Sequence, residues 1–166
     1  MKKLCFTTIF AVSLFIGIIR LQAQTIHPKL NQVELMKQFV GSWKFDVAKD
    51  TTAYYDFTSF GTGIEGNFRY IGKGNVFMEG KELWGYDKSA DKFILSEVIK
   101  GQEIQLFAIW FISNTLCKAV SYSDLAVPEK AYFKADTELK SSDRFRQTIT
   151  IENKLIKIIS ALNRLP

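Results

Sequence analysis

The chain is 166 residues long, with 22 Lys and Arg against 17 Asp and Glu, a formal charge of +5, and 14% aromatic residues. Lys2, Lys3 and Arg20 fall in the first 23 residues, where no acid lies, so the remainder carries only +2 and lacks the clustered bases that nucleic-acid binding needs. Of two cysteines, Cys5 lies in that same segment and Cys117 stands alone, which excludes an internal disulfide and leaves cohesion to burial.

Residues 1–23 have the parts of a cleaved export signal: the basic Lys2 and Lys3, an apolar run over 4–19, and small Ala23 at a cleavage position. The run falls short of the roughly 20 residues that a membrane-spanning helix wants. Cys5 opens the run, whereas a lipid-bearing cysteine would follow it. The sequence therefore predicts an exported protein, periplasmic or extracellular, with no membrane association after cleavage. Residues 24–166 are enough for one domain with one core.

His27-Pro28 introduces a short helix over 29–40, with Leu30, Val33, Met36 and Phe39 or Val40 at three- and four-residue steps. Gly41 stands where a helix would stop. From Trp43 the period changes to two: Trp43, Phe45 and Val47 alternate with Lys44, Asp46 and Ala48. Further strands are expected over 52–60, 64–71, 92–99, 103–112, 116–123, 131–139, 144–151 and 155–162. Turns such as Asp87-Lys88-Ser89-Ala90-Asp91, Lys100-Gly101-Gln102 and Ser141-Ser142-Asp143 separate them. Residues 75–86 read either as one strand bulged at Gly80 or as two strands turning there. Segment 103–112 is apolar on both faces, with Ile104, Leu106, Ala108, Trp110 and Ile112 on one and Phe107, Ile109 and Phe111 on the other. The second face needs a cover, either the N-terminal helix or a partner subunit in a homodimer. Without helices between the strands, a parallel α/β sheet is excluded and an antiparallel all-β fold is expected. The aromatic content favours a closed barrel over a sandwich.

Phe39-Val40-Gly41-Ser42-Trp43-Lys44 resembles the opening of lipocalin-like proteins, where a short helix leads into a Gly-x-Trp on the first barrel strand. Leu83-Trp84-Gly85-Tyr86-Asp87, followed by Lys92-Phe93, is similar to a second landmark of bacterial lipocalin-like families. Arg164 resembles the basic residue that packs across the Trp at the end of the last strand. The resemblance implies a calycin-type, up-and-down antiparallel β-barrel of about 8–10 strands with a short N-terminal helix and a ligand-binding role. It also implies structural roles for Gly41, which turns the chain into the strand, for Trp43, which plugs the floor, and for Arg164, which stacks on the indole. The paired cysteines of many animal lipocalins are missing. The only histidine, His27, precedes the barrel, so no haem ligand lies inside it and no cofactor is expected.

Gly61-Thr62-Gly63-Ile64-Glu65-Gly66 matches the dinucleotide fingerprint, but that motif must open a helix, and Asn67-Phe68-Arg69-Tyr70 continues as strand. No close set of His, Cys and carboxylates offers a metal site, and Asp87 and Asp91 read as turn caps. A catalytic triad would need His27, at the ragged start of the mature chain, so no catalytic residue is assigned. Carboxylate pairs are the remaining route to acid–base chemistry: Glu79 with Glu82, or Glu97 with a neighbouring strand. The aromatic set Phe68, Trp84, Phe93, Trp110 and Tyr122 is the candidate ligand cavity, with Tyr54, Arg69, Glu82 and Arg146 as polar groups to orient a ligand. A barrel of about eight strands can equally fill its interior with such side chains. The expected function is binding of a small apolar or amphipathic molecule. The alternatives are a surface module for protein interaction, and a hydrolase or isomerase using interior carboxylates.

Overall fold

The computed structural model describes residues 29–164, with side chains for residues 29–154. Residues 1–28, which hold the export segment and His27, lie outside the described residues, as does the side chain of Arg164. The described chain is all-β after one short helix. Ten strands follow in order: β1 (Gly41–Ala48), β2 (Thr51–Phe60), β3 (Gly63–Gly72), β4 (Asn75–Asp87), β5 (Lys92–Ile99), β6 (Gln105–Phe111), β7 (Leu116–Ser121), β8 (Phe133–Ser141), β9 (Arg144–Ile151) and β10 (Lys154–Arg164). Each strand pairs antiparallel with the next, and β10 returns to β1 to close the barrel. Tight hairpins make this connectivity possible. Lys73 and Gly74, and again Glu152 and Asn153, all have positive φ at the centre of two-residue turns, which matches the twist of the flanking strands. Among the described residues no helix is long and apolar enough to cross a membrane.

The helix α1 (Gln32–Met36) is shorter than the apolar period suggests. The Asn31 side chain accepts a hydrogen bond from the Glu34 N–H and sets the start, and a 3-10 turn, Lys37–Phe39, tightens the end. Gly41 then adopts φ 131°, a backbone region that a side chain would disfavour, and the chain swings into β1. The turn brings Met36 and Phe39 across one end of the barrel. There Trp43 is fully buried, and its indole Nε1 donates to the Phe39 carbonyl at 2.7 Å. Phe145 meets Trp43 edge-on at 4.9 Å and Phe45 at 5.2 Å between ring centroids. Phe93 and Phe111 complete this solid floor.

One sequence expectation is corrected here, and a second is met in part. Gly80 is neither a turn nor a bulge: β4 runs unbroken past it, and the register slips between Tyr70 and Ile71, opposite Phe77. Gly80 is small because the Phe68 ring and the Val98 carbonyl occupy the space its Cβ would need. On β6 the face of Phe107, Ile109 and Phe111 points into the barrel, and Gln32 of α1 with Phe39 of the 3-10 turn covers its floor end. The opposite face is the one that needs outside cover. Leu125 and Ala131, from the connection between β7 and β8, pack with Ala108 and Trp110 there, while Ile104, Leu106 and Ile112 stay exposed. That connection accounts for the apolar outer residues Ala108 and Trp110.

Candidate functional site

Above the aromatic floor the barrel is hollow. The cavity measures about 290 Å3. Phe39, Phe45, Phe57 and Trp84 form its lower wall, and Phe107, Phe133 and Ile149 line it toward the hairpin end. Its polar groups come from strands that alternate inward. Tyr55 on β2, Tyr70 on β3, Glu82 on β4, Glu97 on β5, Thr137 on β8 and Gln147 on β9 all face it.

These groups hold one another. The Tyr55 and Tyr70 hydroxyls lie 2.9 Å apart, and Gln147 Nε2 donates to Thr137 Oγ1 at 3.1 Å. Trp84 Nε1 donates to Glu82 Oε2 at 2.7 Å. Glu82 and Glu97 are direct cross-strand partners on β4 and β5, and their carboxyl groups share a hydrogen bond. Burial pushes the Glu82 pKa up to about 8, the charge of Glu97 adds to the rise, and the Trp84 N–H works against it. Burial also raises Glu97, whereas the hydrogen bond from Glu82 favours its charged form. Of the two, Glu82 is the one that the shared hydrogen bond holds in its protonated form, donating to Glu97. Tyr55 is raised well above the usual phenol range, first by burial and then by Tyr70 and Glu82, so it stays neutral.

Cys117 also lines the cavity and is buried, and burial raises its thiol pKa strongly, so it is a thiol and a poor nucleophile. Lys118 contributes to the wall, but its ammonium lies 3.4 Å from Asp136 in a half-exposed ion pair.

The sequence-predicted residues divide. Glu82 and Trp84 line the cavity. Phe68 is buried and stacks on Tyr55 at 5.3 Å, forming the core beside it, and Phe93 is packed into the floor. The others lie elsewhere. Tyr54 and Arg69 face outward, with the guanidinium 5.2 Å from the Tyr54 ring, and both line an outer groove. Trp110 is on the outer face of β6, with Lys92 over its ring at 5.3 Å. Tyr122 begins a 3-10 turn and is 44% exposed, and Arg146 is exposed on β9. Of the proposed carboxylate pairs, Glu97 finds Glu82, while Glu79 points outward to Lys100 at 2.7 Å. Asp87 caps its turn through the N–H groups of Ser89 and Ala90. Gly63 and Gly66 of the glycine-rich motif lie within β3, with no helix after them.

Tyr55 and Tyr70 were not singled out from the sequence, although a signal existed. In an antiparallel hairpin, paired residues share a face, and Tyr55 pairs with Trp43 and with Phe68.

The fold and the cavity together define a closed up-and-down barrel with an aromatic floor and a polar-edged chamber above it. The chain matches no protein-family model, and no curated protein matches it.

Proposed function

We propose that the chain is an exported, lipocalin-like barrel that holds a small apolar or amphipathic molecule in its interior. The observation that carries this reading is the 290 Å3 cavity between an aromatic floor and a ring of tyrosine, carboxyl and amide groups. Ligand pockets of roughly 300–1,000 Å3 are usual, apolar with a few placed polar groups, so a compact ligand is expected. Phe57 and Trp84 offer faces for its body, and Glu82, Glu97, Tyr55 and Tyr70 offer hydrogen bonds for a polar end.

The lipocalin-like part of the proposal rests on Gly41-Ser42-Trp43 following a short helix, with Trp43 buried at one end of the barrel. The backbone pairing of Trp43 with Arg164 brings the last strand to the same place, as the resemblance requires. Export rests on residues 1–23 alone.

Native mass spectrometry of the protein purified from its own host tests the export and binding parts. The expected result is a chain beginning at Gln24 with one small molecule bound, lost on denaturation. A bare chain that also takes up no apolar compound on soaking would overturn the binding role. The Glu82–Glu97 pair supports a second reading, acid–base catalysis, with Glu82 as acid and Glu97 as base. Under that reading the bound molecule returns chemically altered after incubation, as read by mass or chromatographic retention. Under the binding reading it returns unchanged.

A further inference from the structure

The cavity has an asymmetry of charge that bears on what it holds. Glu82 and Glu97 both line it, on adjacent strands and facing each other. Among the described residues the only basic side chain at its wall is Lys118, which is engaged by Asp136. Directly beside the carboxyl pair lie π faces: Trp84, hydrogen-bonded to Glu82, Phe57 at 5.4 Å from Trp84, and Tyr55 at 5.6 Å from Phe57. An anionic ligand would be set against two acidic side chains in a poorly solvated space. A neutral ligand would bring no counterion to the pair, and among the described residues Lys118 is already engaged by Asp136. A cation answers both the carboxylate and the electron-rich ring faces. A bare divalent metal fits less well, because it wants several oxygen ligands and, among the described residues, no group of three or more His, Cys, Asp and Glu converges.

We infer that the ligand is a compact amine, its ammonium group set against the Glu82–Glu97 pair and its apolar body against Trp84, Phe57 and Tyr55. The inference rests on the cavity being a ligand site and adds the chemical class. Binding such a cation favours the doubly ionised pair, so the amine expels the shared proton and binds more tightly as pH rises toward about 8. The groups facing the pair are Tyr55 on β2, Tyr70 on β3 and, on the strand of Glu82 itself, Trp84. On β10 the backbone register sets Lys157 opposite the cavity-lining Ile149, so its variant belongs in the test.

Calorimetric titration of the mature protein with phenylpropylamine, phenylpropanol and phenylpropanoate separates the possibilities, because the three differ only in the head group. The amine is expected to bind about tenfold or more tightly than the alcohol, and the carboxylate more weakly still. In Glu97→Gln the amine-to-alcohol ratio is expected to fall about tenfold, and in Lys157→Met it is expected to hold or grow. If Glu97→Gln does not fold, the wild-type pH profile decides: amine affinity rises between about pH 6 and pH 8 while alcohol affinity stays flat. Alcohol or carboxylate bound as tightly as amine, or a flat amine profile, overturns the amine inference and leaves the cavity reading standing. No binding by any of the three overturns both.

Discussion

Glu82→Gln should make the barrel more stable in mild alkali and flatten its response to pH. In the folded chain the Glu82 carboxyl keeps its proton up to about pH 8, whereas an ordinary glutamate releases it near 4.5. Between those values the folded state binds more protons than the unfolded state. Stability is therefore full below about 4.5 and is lost as pH rises to about 8, after which the loss levels off. At about 1.4 kcal/mol for each tenfold change in proton affinity, the whole loss comes to about 5 kcal/mol, and the part between pH 5 and pH 9 to about 4 kcal/mol. Domains of this size have about 5–15 kcal/mol in all, so the effect is large. Glutamine keeps an oxygen to accept from Trp84 Nε1 and offers an N–H to Glu97, so the local bonds survive the exchange. Glu97 and both tyrosines remain in the variant but feel the loss of the Glu82 carboxyl, so the difference between the two profiles reports the coupled pair. Urea unfolding at pH 5, 7 and 9 measures it. Wild type should lose about 4 kcal/mol more than the variant across that range. Parallel profiles would refute the reasoning, because they would mean that folding does not hold the Glu82 proton.

Gln32→Leu should loosen the helical cover of the floor. Gln32 is buried, donates to the Phe111 carbonyl at 3.0 Å and accepts from the Phe111 N–H at 2.7 Å, so its loss strands two backbone groups. A cost of about 2–4 kcal/mol is expected from urea unfolding, against a few tenths for Gln38→Leu if the clamp is what matters. Gly80→Val should cost at least about 1–3 kcal/mol, because the new Cβ meets the Phe68 ring and the Val98 carbonyl. Gly85→Val on the same strand, where nothing lies within 4 Å, serves as the control, and equal losses in the two would contradict the packing argument.

Much of this architecture is legible in the chain because the side-chain period of a strand is two. The alternation of Trp43, Phe45 and Val47, and the tight turns at Lys73-Gly74 and Ser141-Ser142-Asp143, fix strands and hairpins locally. What fails is the choice of face. Trp110 was read as an inward ring, yet its strand has two apolar faces, and only the packing of Leu125 and Ala131 from a later connection decides which is outside. Tyr54 was preferred to Tyr55 for want of the pairing with Trp43, a relation between strands and not within one. Glu82 and Glu97 stand 15 positions apart and meet only through the register of β4 and β5, which a single strand's pattern does not contain. The bulge opposite Phe77 is likewise invisible locally, because Gly80 is the residue that looks like a break.

The central claim is that the chamber above the aromatic floor receives a ligand. Ala119 lines it on β7 with a side chain small enough to leave it open, so Ala119→Phe fills the space without adding a polar group. Titration with the neutral fluorescent probe N-phenylnaphthylamine, with thermal unfolding in parallel, measures the consequence. The account predicts one probe bound per wild-type chain, and binding lost in a variant that still unfolds cooperatively. A wild type that takes up no probe, or a variant that binds it equally well, would contradict it.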